Sequence, residues 1–180
     1  ERSGQVARAD KVLYRPRQET AELTGSPEFS DGESTLRGRR IDLAPGRVTV
    51  HGTEAAPVVV RLPGLADLAY TEPEVESEDG ANGDAAEEVA ADGLNEPEPT
   101  IVRSREVVIY HGGDSQRIDF KDDVIVNGTN LQVRSRKMEV YLDKADASIV
   151  SAGSFAGDVK RIIARENVEI EQGERIATCE

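Results

Sequence analysis

Few residues in this sequence are of a type and spacing that could do acid–base, nucleophilic or metal chemistry. His51 and His111 stand at the ends of alternating apolar runs and share no motif. Asp122 and Asp123 could form an acid pair, but neighbouring residues on a strand point to opposite faces, so a bend with two exposed acids is the simpler interpretation. No serine nucleophile elbow and no HExxH motif is present. The sequence therefore indicates no catalytic residues.

Motifs for cofactors and metals are equally weak. Gly112-Gly113 lacks both the lysine of a phosphate-binding loop and a following helical pattern, so it is typical of a turn. Cys179 is the single cysteine, which excludes an internal disulfide framework and a cysteine-based zinc site. We predict that the protein is not an enzyme and binds no cofactor and no metal.

The net charge of −13 is concentrated in one stretch of the 180-residue chain. Eleven acidic residues lie between Thr71 and Thr100, and no Lys or Arg lies between Arg61 and Arg103. The stretch is rich in Pro, Gly, Ala and Glu and has almost no large apolar residues, which is the composition of a disordered segment. The remainder is close to neutral, so the sequence lacks the basic surface of a nucleic-acid-binding protein.

Composition divides the chain into three parts. Residues 1–70 and 101–180 carry a common alternating pattern, and the acidic stretch 71–100 separates them. No apolar run is long enough for a signal peptide or a membrane-spanning helix. The chain has no initiator methionine and stops within an alternating pattern at Ile176–Glu180. We therefore expect a mature form or an excised segment.

Outside the acidic stretch, the dominant pattern is alternation of apolar and polar residues. It is clearest over Arg117–Leu142, where we expect four or more short strands with a hairpin turn at Asn127-Gly128. Leu36–Leu43 is predicted as one strand, and Glu1–Asp10 as a frayed start. Helical periodicity of useful length is missing. The sequence thus predicts an all-β fold.

Three segments share one arrangement of apolar positions: Leu23–Phe29, Phe120–Val126 and Ala164–Ile170. Each has apolar residues at its first, fifth and seventh positions, with two small or acidic residues where a regular strand would continue the alternation. We interpret these middle pairs as bends or bulges at which the sheet folds over. Such an internal repeat indicates stacked or wound β-strands. Tyr14 and Tyr110 recur at equivalent places upstream, where packing or ligand contact would each account for them.

The repeated pattern resembles the OstA/LptA family of lipopolysaccharide-transport proteins over residues 7–52 and 103–180. Pro27, where the family prefers valine, and the acidic stretch depart from it. The resemblance implies a periplasmic, wound antiparallel β-jellyroll with a disordered acidic insertion. The matching residues are Ala9, Tyr14, Leu23, Gly25, Phe29, Gly32 and Ile41 in the first copy, Tyr110, Phe120, Asp123, Val124, Val126, Gly128, Met138 and Val140 in the second, and Ile163, Ala164, Asn167, Val168, Ile170 and Gly173 in the third.

In that family the interior of an open jellyroll receives the acyl chains of lipopolysaccharide. The residues by themselves leave two alternatives open, because inward side chains could interdigitate as an ordinary core or line a groove. With an aromatic content of 4% the lining would be mainly aliphatic, which suits acyl chains because they need a dry surface and few polar partners. By the resemblance, the acyl-facing candidates are Phe29, Ile41, Phe120, Val124, Val126, Leu131, Met138, Val140, Val168 and Ile170.

The resemblance further implies lipopolysaccharide or a related glycolipid as ligand, and other OstA-like jellyroll modules as partners through strand addition at open sheet edges. It allows membrane-anchored partners at either end, and it does not distinguish the soluble bridge of the pathway from its membrane-anchored partner or from the periplasmic part of the outer-membrane translocon. A structural β-solenoid scaffold that polymerises without a ligand is the alternative. An enzyme on a β-sandwich scaffold is disfavoured, since no set of residues supports it.

Overall fold

The computed structural model describes residues 6–30, 34–62, 99–112, 115–129, 131–143, 159–173 and 175–179. In these ranges the chain is all-β, as the alternation predicts, apart from a 3-10 turn at Pro16–Gln18. No helix in the described ranges has the length and apolar character needed to cross a membrane. The strands are β1 (Val6–Arg8), β2 (Lys11–Arg15), β3 (Thr20–Thr24), β4 (Glu28–Ser30), β5 (Thr35–Arg37), β6 (Arg40–Ala44), β7 (Arg47–His51), β8 (Val58–Leu62), β9 (Thr100–Ser104), β10 (Glu106–Gly112), β11 (Ser115–Asn127), β12 (Leu131–Asp143), β13 (Val159–Arg165), β14 (Val168–Gln172) and β15 (Arg175–Cys179).

These strands form one antiparallel sheet that bends into two half-sheets, which is the wound jellyroll. The first half-sheet has the order β2-β3-β6-β7-β10-β11-β12-β13, and the second has the order β1-β4-β5-β8-β9-β11-β12-β14-β15. The long strands β11 and β12 belong to both half-sheets. Lys121 pairs with Lys137 on one side of their bend, and Val124 pairs with Ser135 on the other side.

Strand lengths differ from the sequence prediction in three places. Arg117–Leu142 is not four or more short strands but most of the two 13-residue strands β11 and β12, because their pairing resumes beyond the bend after a register shift. Leu36–Leu43 is not one strand, since it breaks at Gly38 between β5 and β6. A Cβ on Gly38 would lie 2.5 Å from Val50 Cγ1, so the crossing is closely packed. The predicted frayed start contains β1, which pairs with β4.

The predicted bends are confirmed at the middle pairs of all three repeats. Asp122 and Asp123 have φ angles of 57° and 53°, and Glu166 and Asn167 have 64° and 55°. The third pair, Gly25-Ser26, has 80° and 54°. Two consecutive left-handed residues turn the strand out of the plane of one half-sheet and into the other. The local sequence thus marks where the sheet folds, because small and short polar residues tolerate positive φ better than branched apolar ones.

Hydrogen bonds link neighbouring bends into a continuous line. The backbone N–H of Arg105 donates to the carbonyl oxygen of Asp122 at 3.0 Å, and that of Arg136 donates to the carbonyl of Glu166 at 2.9 Å. The Arg105 guanidinium also pairs with the carboxylate of Asp123. At a bend, some backbone N–H and C=O groups lose their hydrogen-bond partners on the neighbouring strand. These groups form hydrogen bonds with the adjacent bend instead.

The core lies between the inner faces of the two half-sheets. Leu36 and Val60 from the second half-sheet, and Ile109 and Ile118 from the first, are completely buried. They belong to one apolar cluster that extends through the middle strands of both half-sheets. Burial of these aliphatic side chains supplies the main driving force that holds the half-sheets together.

The acidic stretch lies in a hairpin connection. β8 and β9 pair antiparallel, with Val58 opposite Ser104 and Leu62 opposite Thr100. The prediction that the stretch is disordered concerns residues outside the described ranges, except Pro99 and Thr100. Leu62 and Thr100 are directly opposed, so the pairing of β8 with β9 extends to the last described residue on each side of the connection.

Substitutions at Asp122 test the left-handed bend. The side chain is exposed and φ is 57°, so Asp122→Val should lower the free energy of unfolding by about 1–2 kcal/mol, because a branched side chain is strained there. Asp122→Gly, the matched control, should stay within about 1 kcal/mol of wild type. Urea unfolding measures both. An equal loss in both variants would assign the effect to the carboxylate instead of the backbone.

Deletion of Glu72–Pro99 tests the independence of the sheet from the acidic stretch. Nine residues would then connect Leu62 to Thr100, which is ample for two directly paired positions. We expect the far-ultraviolet circular dichroism per residue in the β region and the thermal midpoint to be retained. Loss of the β signal would mean that the stretch is part of the folded sheet.

Candidate functional site

The interior is lined by two rows of residues that run across the strands. In the first half-sheet, directly opposed inward residues form a row, here called the first inner row. It comprises Val12, Leu23, Ile41, Val50, Val107, Phe120, Met138 and Ala164. The second half-sheet carries the second inner row. It comprises Ala7, Phe29, Leu36, Val60, Val102, Val126, Val133, Ile170 and Ala177. Every member of both rows is apolar, so each row is a continuous apolar strip from the first to the last described strand of its half-sheet.

Six of the ten predicted acyl-facing residues lie in the buried core. Phe120, for example, is 1% exposed and lies directly opposite Met138 in the first inner row. The six buried residues are Ile41, Phe120, Val124, Val126, Met138 and Val140. Their side chains pack in one cluster with the other core residues. The middle of the interior is therefore closed in this conformation.

The other four predicted residues lie towards the ends of the interior. Phe29 is half-buried beside β1, at the end formed by the first strands. Leu131 and Val168 are half-buried near the opposite end, and Ile170 is 37% exposed there. The ten residues therefore do not form one local pocket. They are distributed along a single interior that is closed in its centre and more accessible at its ends.

At the open end formed by β2, sequence reasoning did not include Val12 among the acyl-facing residues, and it left Tyr14 open between packing and ligand contact. Val12 and Tyr14 share the inner face, because they lie opposite Leu23 and Ala21, yet they are 60% and 59% exposed. Their alternation within a predicted strand was the signal that could have identified them. The alternation could not show that β2 is the last described strand of its half-sheet. Within the described residues, these side chains therefore remain largely uncovered.

The equivalence of Tyr14 and Tyr110 does not hold in three dimensions. Tyr14 points to the inner face, whereas Tyr110 lies on the outer face with the Arg117 guanidinium 4.4 Å from its ring centroid. Tyr14 lies two residues after the inward Val12, whereas Tyr110 lies three residues after the inward Val107. This difference of one residue places the two tyrosines on opposite faces of their strands. Tyr110 is therefore a packing residue, and only Tyr14 is placed to meet a ligand of the interior.

Charged side chains pair across the strands on the outer face. His51 Nε2 lies 2.9 Å from Asp42 Oδ2, and its Nδ1 lies 3.5 Å from Glu106 Oε2. The Lys121 amine donates to Glu106 Oε1 at 2.8 Å, which raises the pKa of that amine. His111 lies at the far end of β10, and its burial lowers the pKa of the imidazole.

This arrangement stabilises the sheet. The outer-face groups are partly exposed cross-strand ion pairs of the kind that contribute modestly to sheet stability. Within the described ranges, no group of three or more His, Cys, Asp or Glu residues is placed to hold a metal ion. The apolar interior is the candidate site.

Comparisons with known proteins give a likeness in structure and none in sequence. No family model and no curated protein sequence matches the chain. Among solved structures, the chain is similar to the crystal structure of LptH, the LptA-homologous periplasmic component of the lipopolysaccharide transport device from Pseudomonas aeruginosa. The sequence identity is 13% and the TM-score is 0.49, and the alignment covers 91% of this chain and 96% of that structure.

Alanine substitutions distinguish the closed centre from the open ends. Phe120→Ala should lower the free energy of unfolding by about 3–5 kcal/mol, because the side chain is fully packed. Ile170→Ala should cost less than about 1 kcal/mol, because much of the side chain is already in water. Both values come from denaturant unfolding of lipid-free protein. A small loss at Phe120 would contradict the packed centre.

Proposed function

We propose that this chain is a periplasmic module that carries the acyl chains of lipopolysaccharide or a related glycolipid along its interior, and that joins like-folded modules by strand addition. The observation that carries the proposal is the pair of inner rows, which are apolar without interruption from one end of the sheet to the other. The resemblance of the repeats to the OstA/LptA family points to the same ligand class. No enzymatic step is part of this function.

The physical basis is the cost of exposing hydrocarbon. Each methylene group of an acyl chain costs about 0.8 kcal/mol when it is exposed to water, so a lipid with several chains needs a continuous dry surface to cross an aqueous compartment. The inner rows supply such a surface and contain no charged residue. Acyl chains would enter where inward side chains are already exposed, namely at Val12 and Tyr14 or at Ile170.

The closed centre gives the alternative function its support. Side chains such as Leu36, Val50 and Ile109 are completely buried without any ligand, as a scaffold that polymerises without lipid would require. A carrier must instead exchange these protein–protein contacts for protein–acyl contacts during passage. The exchange is nearly balanced in free energy, because both states keep the apolar surfaces out of water. Transport is therefore compatible with a core that is closed at rest.

A pair of photo-crosslinking positions tests the carrier function. A photoreactive amino acid at Ile170 faces the interior near its open end, whereas one at Ile125 is on the outer face of β11, adjacent to the inward Val126. In cells that make lipopolysaccharide, we expect a glycolipid adduct at Ile170 and none at Ile125. Met138 provides a third position in the closed centre, where an adduct would show that lipid passes through the whole interior.

The result that contradicts the carrier function is equally clear. If mass spectrometry finds no lipid in the purified protein, and Ile170 gives no more adduct than Ile125, the interior is a packed core. Polymerisation that proceeds unchanged in delipidated samples would then favour the scaffold.

A further inference from the structure

The sheet ends in strand edges on both sides of the molecule. In the part of the chain that the structure describes, β2 and β13 are the terminal strands of the first half-sheet, and each pairs with a single neighbour. β1 and β15 have the same position in the second half-sheet. The outer side of a terminal strand presents backbone N–H and C=O groups to which another strand can add.

The two terminal strands of the first half-sheet carry the same charge pattern on their outer faces. In β2 the outward residues are Lys11, Leu13 and Arg15, because they alternate with the inward Val12 and Tyr14. In β13 the outward residues are Arg161, Ile163 and Arg165, opposite Tyr141, Glu139 and Lys137 of β12. Each edge therefore shows a cation, an aliphatic residue and a second cation, although the net charge of the chain is −13.

Stacking one copy on another would oppose these cations. β2 runs away from the bend line and β13 runs towards it, so β2 of a second copy would add antiparallel to β13. We take the pairing in which the inner faces of the two copies are on the same side and β2 overlaps β13 completely. Lys11 would then lie opposite Arg165, Leu13 opposite Ile163 and Arg15 opposite Arg161. Like charges at directly opposed positions destabilise a strand pair. Shifting β2 by two residues along β13 would separate the like charges, but it would also reduce the number of paired residues.

Acids on the neighbouring strands offset part of this charge. Glu22 lies 3.5 Å from Arg15, and Glu139 lies 3.6 Å from Arg165. The Arg161 guanidinium stacks 4.4 Å from the ring centroid of Tyr141, which leaves its charge in place. Both acids are one strand inward from the edge, so they weaken the repulsion between edges without reversing the sign of either edge.

The second half-sheet opposes self-stacking by strand direction. β14 runs away from the bend line, and β15 returns along it towards the bend. β1 also runs towards the bend line before the chain crosses to β2. β1 of a second copy would therefore add parallel to β15, while β2 would add antiparallel to β13. Parallel pairing is slightly less stable per residue and does not continue the antiparallel winding.

We infer that this chain does not extend end to end with copies of itself, and that its first half-sheet instead accepts a strand with acidic residues at alternate outward positions around an aliphatic residue. Such a strand would place Asp or Glu opposite Lys11 and Arg15, or opposite Arg161 and Arg165, and an apolar side chain opposite Leu13 or Ile163. This inference rests on the strand-addition part of the proposed function. It makes the partner a different module with an acidic edge.

Charge reversal at one edge tests the exclusion of self-assembly. Wild-type protein should sediment as a monomer. K11E/R15E should associate through the β2–β13 contact of the first half-sheet, because its reversed β2 edge complements β13 of the next copy, with an association constant at least about tenfold higher than that of wild type at low salt. R161E/R165E is the reciprocal variant with the same expectation. Combining all four substitutions restores like charges, now negative, and should restore the monomer.

A matched control separates edge charge from net charge. R47E/R103E reverses two exposed cations on interior strands of the sheet and makes the same change in net charge, so it should remain monomeric. Circular dichroism verifies the fold of each variant. The inference is overturned if wild-type protein forms end-to-end chains at low salt, or if neither edge variant associates more strongly than R47E/R103E.

Peptide binding tests the chemistry of the partner. A fluorescent peptide with a Glu-Val-Leu-Val-Glu centre, which places both acids and the leucine on one face of the strand, should bind wild-type protein at least about tenfold more tightly than its Lys-Val-Leu-Val-Lys counterpart, and its binding should weaken with salt. Equal affinities would overturn the proposed partner chemistry. Lipid adducts at Ile170 are measured separately in the same variants, so loss of acyl binding and loss of edge selectivity are distinguishable.

Discussion

The structure depends on a backbone constraint: a hydrogen-bonded sheet can fold over on itself only where its strands leave the extended conformation together. Here that occurs at paired residues with positive φ, of which Asp122-Asp123 is the middle example. Neighbouring bends satisfy the backbone groups that the bend removes from the ladder, as the Arg105 N–H does with the carbonyl of Asp122. Because the bends align, the inner faces of both half-sheets meet, and the apolar rows come into contact in the central strands.

The two inner rows cover each other in the central strands and only partly in the terminal strands. In the central strands each row is covered by the other, so side chains such as Phe120 are buried without a ligand. In the terminal strands the cover is incomplete, so Val12, Tyr14 and Ile170 remain exposed. The inner rows thus build a packed core in the central strands and expose hydrocarbon surface in the terminal strands. A carrier and a packed scaffold share this architecture and differ in whether the central contacts are exchanged for acyl contacts.

Edges and interior have separate chemistries. The inner rows are apolar, whereas the terminal strands present backbone groups that have no sequence preference. Under the proposed strand addition, selectivity between partners would come from side chains on the outer face, which on β2 and β13 include Lys11, Arg15, Arg161 and Arg165. A protein with a strongly negative net charge can in this way carry positive charge at its contact strands, because electrostatic pairing across strands acts over a few ångströms.

By itself the sequence determined the properties that depend on local conformation. Period-two alternation specified strands, Asn127-Gly128 specified a turn that is closed by the Gly128 N–H and the Leu131 carbonyl, and the small or acidic pairs specified the bends. These follow from φ and ψ preferences of a few adjacent residues. Only the tertiary structure decided that β11 and β12 continue through their bend, that Tyr14 and Tyr110 point to opposite faces, and which apolar residues are covered. Each of these outcomes is set by register and by the presence or absence of a neighbouring strand, and both are interactions between residues far apart in the chain.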